Sequence, residues 1–208
     1  MKVIDIAGWN RKEHFEFFSK MASPYFGFTT EVDCTQAYKK AKDNGHSFFA
    51  AYLHASMIAV NAVDELKMRI LDDNIVLYDT VNAGTTIGRA DGTFGFAYIH
   101  FSEDFSMFNA ELQKEITGVQ NSVGLRMNNG ELGKDLIRHS AIPWNSFSAI
   151  LHPTLLDKTE SVPKITFGKF SIREGRYYLP VSVEAHHGLA DGFHLARYLE
   201  AFQKQLDQ

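Results

Sequence analysis

The sequence predicts an α/β chain of the α+β two-layer kind, a mixed β-sheet covered by helices. Three observations predict it. Strand-like stretches outnumber helical ones without alternating regularly with them, which argues against a doubly wound parallel sheet. Residues 47–63 carry apolar side chains on nearly every side, as a helix at the centre of a core does. No glycine-rich strand-turn-helix stands anywhere, so a Rossmann nucleotide site has no support.

Taken in order, Val3–Ile6 reads as a short strand. Asn10 followed by Glu13 has the spacing of a capping box, with Phe15, Phe17 and Phe18 on the helix it would open. Gly27–Val32, rich in threonine, valine and phenylalanine, reads as a strand. Asp33 caps a helix through Tyr38 to Lys42 that Asn44-Gly45 ends. The central helix over Ser47–Val63 follows. Lys67–Leu71 and Ile75–Tyr78 flank a turn at Asp72-Asp73-Asn74. Thr85–Ile87 and Thr93–Phe101 read as extended. Phe108, Leu112 and Ile116 recur every four residues, predicting a helix from Phe105 to about Gln120. Asn128–Gly133 reads as a surface loop. Then come Leu136–Ala141, Ser146–Leu151, a long hairpin of Ile165–Ile172 with Tyr177–Glu184 turned at Glu174-Gly175, and a helix from Gly192 to about Gln205.

The 208 residues suffice for one domain, 1–208, with no linker or repeat to divide it. At 45% hydrophobic and 22% charged residues the chain is of the ordinary globular class. A formal charge of −4 argues against a nucleic-acid partner. The single cysteine, Cys34, excludes an internal disulfide framework and a cysteine-built zinc site. The N-terminus is charged by residue 11 and has no signal-peptide core, and the apolar stretch 47–63 is interrupted by Ser47, His54, Ser56 and Asn61. A cytoplasmic protein without a membrane span is the expectation.

The informative segment is residues 183–194, where a strand end meets a helix start. It contains His-x-x-x-Asp-Gly as His187, Asp191 and Gly192. A neutral imidazole can take a proton from a hydroxyl near physiological pH, which makes His187 a candidate general base. A packed histidine followed by a helix cap at Asp191 would look the same at this level. His186, His187 and His194 match no common zinc spacing, so no metal is expected.

The run from His186 to Gln203, HHGLADGFHLARYLEAFQ, resembles the C-terminal signature of the chloramphenicol acetyltransferase family. Residues 10–17 resemble that family's N-terminal helix, 63–70 with Asp72-Asp73 its segment after the central helix, and 140–147 its Ser-Ala-x-Pro-Trp motif. The resemblance implies a CoA-dependent acyltransferase-like fold and a ternary complex with acetyl-CoA as co-substrate and no resident cofactor. In it His187 deprotonates the hydroxyl of a small acceptor, which attacks the thioester directly. Ser140 would stabilise the oxyanion, Asp191 and Arg11 would form a buried ion pair supporting the base, and Thr166 would help order water. Trp144, Lys169 and Phe170 fall where the family lines its coenzyme A channel. The resemblance also implies a homotrimer with active sites between subunits and, with chloramphenicol as acceptor, antibiotic resistance.

The acceptor end departs from the pattern. Phe17 and Phe18 fall at the acceptor pocket, and Phe18 replaces a tyrosine that bonds the acceptor. Ile150, His152 and Lys164 replace apolar or aromatic pocket residues, and Ala190 replaces a cysteine. Two alternatives therefore stand beside chloramphenicol acetylation: the same chemistry on another antibiotic, xenobiotic or sugar, and a relative that binds CoA or ligand without turnover.

Overall fold

The computed structural model describes residues 1–127, 133–155 and 157–208. It opens with β1 (Lys2–Val3), α1 (Lys12–Phe18), β2 (Tyr25–Asp33), α2 (Thr35–Asp43), α3 (Phe48–Asn61) and α4 (Asp64–Lys67). A hairpin of β3 (Met68–Leu71) and β4 (Asn74–Leu77) turns through Asp72, whose φ of 52° an aspartate tolerates. β5 (Asn82–Gly88), β6 (Phe94–Ile99), α5 (Phe105–Gln120), β7 (Leu136–Ile142), β8 (Lys164–Gly168), β9 (Ser171–Arg173), β10 (Arg176–His186) and α6 (Gly192–Leu206) complete the chain.

A seven-stranded sheet runs β2-β10-β8-β7-β5-β6, with β9 on β10; β7 pairs in parallel with β5 and β8, and the other pairs are antiparallel. The sheet is mixed, as the irregular succession of elements predicts. A three-stranded sheet β1-β4-β3 stands apart. Strand alternation gives the large sheet two unlike faces. Val181, Val183, Ile165, Phe167, Ile137, Ala83, Ala97 and Ile99 join one apolar cluster with Leu53, Met57 and Val60 of α3, Phe108 and Leu112 of α5, and Leu195, Tyr198 and Phe202 of α6. The intervening positions, Ser182, Glu184, Lys164, Thr166, Arg138 and Ser140, occupy the opposite face. Helices cover one side and polar groups line the other, so the polar row is where chemistry can sit.

The structure departs from expectation in four places, each for a local reason. β1 ends at Val3: Ile4 N–H still donates to Ile75 O at 2.8 Å, but the Ile4 and Ile6 side chains pack against the cluster of Met68, Ile70 and Ile75 and the ladder goes no further. The N-cap of α1 is Arg11 and no side chain caps it, so Asn10 and Glu13 make no capping box; Arg11's own side chain is committed elsewhere. Ser146–Leu151 forms no strand: both edges of β7 are already paired with β5 and β8. The first arm of the long hairpin breaks at Lys169-Phe170, where Lys169 N–H donates to Asn145 O at 2.9 Å and Phe170 turns toward Tyr38 and Phe48. Asp33 does serve α2, accepting from Thr35 N–H at 2.9 Å, with Cys34 as the cap residue. α5 matches its predicted span, and Asp104 caps it at Met107 N–H. The loop expected at 128–133 lies outside the described residues except for Gly133.

One core feature carries a prediction. His139, on the helix-facing side of β7, is 3% exposed and shares the Ser56 hydroxyl, 3.3 Å away, with Tyr198. Burial pushes its imidazole down to about 3, and burial also pushes His186 down to about 4. Both rings are neutral when folded and take protons first when unfolded. Unfolding free energy is therefore unaffected above about pH 6.5 and falls as pH drops from there toward 3–4, by about 1.4 kcal/mol per pH unit for each histidine. Urea unfolding of wild type and His139→Gln between pH 7 and about 5 checks this. The variant is expected to lose one histidine's share of the slope; an unchanged slope would remove His139 from the account.

Candidate active site

His187 follows the last residue of β10. Its N–H donates to Pro24 O at 2.8 Å, and its Nδ1 lies 3.2 Å from Ala190 O. A carbonyl oxygen can only accept, so Nδ1 carries the proton and Nε2 keeps its lone pair. The half-buried ring is stacked between Phe18 at 3.8 Å and Phe26 at 4.1 Å, with interplanar angles of 15° and 27°. Those two rings fix the imidazole plane. Phe26 reaches it because β2 lies close on β10 at Gly27, where a Cβ would stand 2.9 Å from Glu184 Cα and collide with Val183 O.

The turn carrying His187 is clamped from below. Arg11 Nη1 is 2.5 Å from Asp191 Oδ2, and Arg11 Nη2 donates to His187 O at 3.1 Å. Asp191 caps α6, accepting from Phe193 N–H at 3.0 Å, while His194 Nδ1 accepts from Asp191 N–H. Burial alone would raise the Asp191 carboxyl; the hydrogen bond from Arg11 and the neighbouring His194 hold it below the usual carboxylate range. His194 Nε2 also sits 3.3 Å from Glu65, tying the start of α6 to α4. His186 points away from His187: its Nδ1 accepts from Gly188 N–H at 3.1 Å, beside Phe15.

Arg11→Leu is expected to destabilise the fold by about 3 kcal/mol, because Asp191 and the His187 carbonyl lose their shared donor. Water reaches part of the Asp191 carboxylate, which keeps the loss at the lower end of such cases. A shift in urea midpoint with unchanged m-value measures it. A variant as stable as wild type would show that the clamp contributes nothing net.

A second group of side chains gathers on the polar face. Ser140 on β7 is in register with Thr166 on β8, which is in register with Ser182 on β10. His152 Nε2 is 2.7 Å from Thr166 Oγ1, and its Nδ1 is 2.8 Å from Glu184 Oε1, at ion-pair distance but without hydrogen-bond alignment. Lys164 Nζ lies 4.0 Å from Glu184 Oε2, donates to Pro153 O at 3.0 Å and Thr154 Oγ1 at 2.5 Å, and sits 4.4 Å from the Tyr25 ring centre. Burial pulls the Lys164 ammonium down, against the opposing effect of Glu184. Ile150 is half-buried on the segment leading to His152.

One chain does not unite the two groups. Ser182, level with Ser140, lies four residues before the end of β10, about 13 Å of strand. Ser140 is two strands further across. Of the acceptor-side residues read from sequence, Phe18 meets His187 and Phe17 leans edge-on against Phe18, 61% exposed. No hydrogen bond or ring contact joins His152, Lys164, Thr166 or Ser140 to His187 among the described residues.

Trp144 is 80% exposed and Lys169 is exposed, their segments joined by the Lys169–Asn145 hydrogen bond, whereas Phe170 packs into an aromatic cluster with Tyr38, Phe48 and Tyr177. Phe26 and Glu184 were not among the residues read from sequence. Glu184, the one acidic residue of β10, carried a signal; Phe26 carried none beyond strand alternation. Cys34 is fully buried, donates to Tyr177 O at 3.4 Å, and burial pushes its thiol up to about 12, which leaves no thiolate for chemistry. Among the described residues no group of three or more His, Cys, Asp or Glu is placed to hold a metal, and no helix is long and apolar enough to cross a membrane.

The profile of the family described as chloramphenicol acetyltransferase matches residues 1–203. The chain belongs to the chloramphenicol acetyltransferase family. Among its relatives, a chloramphenicol acetyltransferase of Proteus mirabilis is 29% identical over 207 residues, covering 99% of this chain and 94% of the relative. Chloramphenicol acetyltransferase 3 of Escherichia coli is 29% identical over 201 residues, covering 96% and 94%. A solved chloramphenicol acetyltransferase superposes with a TM-score of 0.91 at 32% identity, covering 99% of both chains. A probable dihydrolipoamide acetyltransferase from Listeria monocytogenes superposes at 0.67 with 16% identity over 100% of this chain and 94% of that one, a likeness of fold. Membership agrees with the clamp of Arg11, Asp191 and His187, which joins residues 180 positions apart.

Proposed function

We propose that this chain transfers the acetyl group of acetyl-CoA to a hydroxyl of chloramphenicol or a chloramphenicol-like acceptor. Family membership across residues 1–203 supports that activity over another acceptor class or a non-catalytic binder. The observation that carries the mechanism is the His187 tautomer: Nδ1–H is given to Ala190 O, leaving Nε2 as a lone-pair base on a ring held flat by Phe18 and Phe26. Nε2 takes the acceptor's hydroxyl proton as its oxygen attacks the thioester carbonyl. The Ser140 hydroxyl donates to the resulting oxyanion, and collapse expels the CoA thiolate, which is reprotonated by the imidazolium. Arg11 and Asp191 position the base.

The separation of His187 from Ser140 within one chain supports completion of the site by a second copy, in a homotrimer with each active site between subunits. Exposed Trp144 and Lys169, on adjoining segments, are suited to the adenine and phosphates of coenzyme A, with Phe170 behind them. Phe17, Phe18, Ile150, His152, Lys164 and Thr166 border the acceptor in this arrangement. The cytoplasm, where acetyl-CoA is supplied, is the proposed location.

Thiol release from acetyl-CoA, followed with and without chloramphenicol, tests the activity; no acceptor-dependent thiol would overturn it. Sedimentation of the active species should return a trimer, and an active monomer would refute the shared site. Ser140→Ala is expected to lower kcat about a hundredfold with KM nearly unchanged, the loss of one oxyanion donor. A wild-type kcat in that variant would remove Ser140 from the reaction.

A further inference from the structure

We propose that His152 is a positioning residue for acetyl transfer: held beside Glu184, it sets the direction of the Thr166 hydroxyl, and protonation of His152 reverses it. The inference rests on the reading above that Ser140 and its neighbour Thr166 face the reacting centre.

Three groups from three segments meet in a chain. Thr166, 1% exposed on β8, stands in register beside Ser140; His152 Nε2 is 2.7 Å from its Oγ1; Glu184 of β10 lies 2.8 Å from the other ring nitrogen. A hydroxyl has one proton to give. The carboxylate beside Nδ1 favours the tautomer with the proton there, as second partners of histidine do. Nε2 is then an acceptor, and Thr166 donates to it. The remaining lone pairs of Thr166 are left to accept from water, the acceptor's one hydroxyl proton being given to His187. When His152 takes a second proton, Nε2 becomes a donor and Thr166 must turn its O–H away, so the site exchanges a hydrogen-bond acceptor for a donor. The charged group facing His152 is Glu184, with Lys164 behind it at 4.0 Å; Tyr25 lies against Lys164, and the Glu160–Arg138 pair at 3.0 Å, hydrogen-bonded to Tyr25, completes the surroundings.

kcat/KM for chloramphenicol measured from about pH 5 to 8 tests this. The acid limb of wild type is expected to be steeper than that of His152→Leu and Thr166→Val, because protonation of His152 turns the Thr166 hydroxyl in wild type alone. At pH 7.5 each variant is expected to lose about tenfold in kcat with KM moved less than about threefold, and the double variant to lose no more than the worse single. A wild-type slope in both variants, or losses that multiply, would overturn the proposal. If His152→Leu fails to fold, Thr166→Val, which keeps the side-chain shape, decides alone. His187→Ala separates the two readings. Turnover retained there brings down the underlying mechanism; turnover abolished there, with the His152 slope unchanged, brings down this proposal alone.

Discussion

His187→Ala should lower kcat for acetyl transfer at least about a thousandfold while the protein stays folded. General-base catalysis is worth about a hundred- to ten-thousandfold, and among the described residues no second group contacts His187 that could substitute for it. His186, the neighbour in sequence, is buried with its Nδ1 already accepting from Gly188 N–H. The half-buried His187 contributes packing between Phe18 and Phe26, so its loss costs a modest fraction of stability, far less than the loss in rate. Thiol-release kinetics at saturating acetyl-CoA and chloramphenicol give the first quantity, and urea unfolding the second. A variant that keeps wild-type kcat would show that the acceptor is deprotonated elsewhere.

The second large effect is recovery of activity by mixing two inactive proteins. If one subunit supplies His187 and its neighbour Ser140, then His187→Ala and Ser140→Ala chains refolded together form some sites with both groups intact. Random assembly of equal amounts gives about one quarter of the wild-type number of such sites, against near-background activity for each parent. A single-chain site gives none, since every chain then carries a defect. Activity of the mixture equal to the mean of the two parents would place both residues in one subunit. The expectation follows from about 13 Å of strand between the level of Ser140 and the end of β10.

Much of this was legible along the chain. The four-residue recurrence of Phe108, Leu112 and Ile116 located α5 because helical period depends on local geometry alone. The strand-to-helix junction at residues 186–192 was legible because glycine and aspartate have few other uses at a helix start, and His187 with Asp191 came with it. What failed was whatever needed a partner. Ser146–Leu151 had the composition of a strand, but both edges of the strand it follows, β7, are taken by β5 and β8. Asn10 and Glu13 had capping-box spacing, but Arg11 between them is drawn to Asp191, and no side chain caps the helix.

The sequence by itself determined most of the elements and the family, pointed to His187 as the candidate base and paired Arg11 with Asp191, because local periodicity and short ordered motifs carry that information. Only the tertiary structure decided that the His187 proton lies on Nδ1, that Phe26 closes the second face of the ring, and that Glu184 meets His152 beside Thr166. Those facts depend on which strands lie side by side and in what register. Register is a long-range property: it sets residues 166 and 184 on adjoining strands, where the segment carrying 152 meets both, and it holds 140 away from 187, and no local pattern records it.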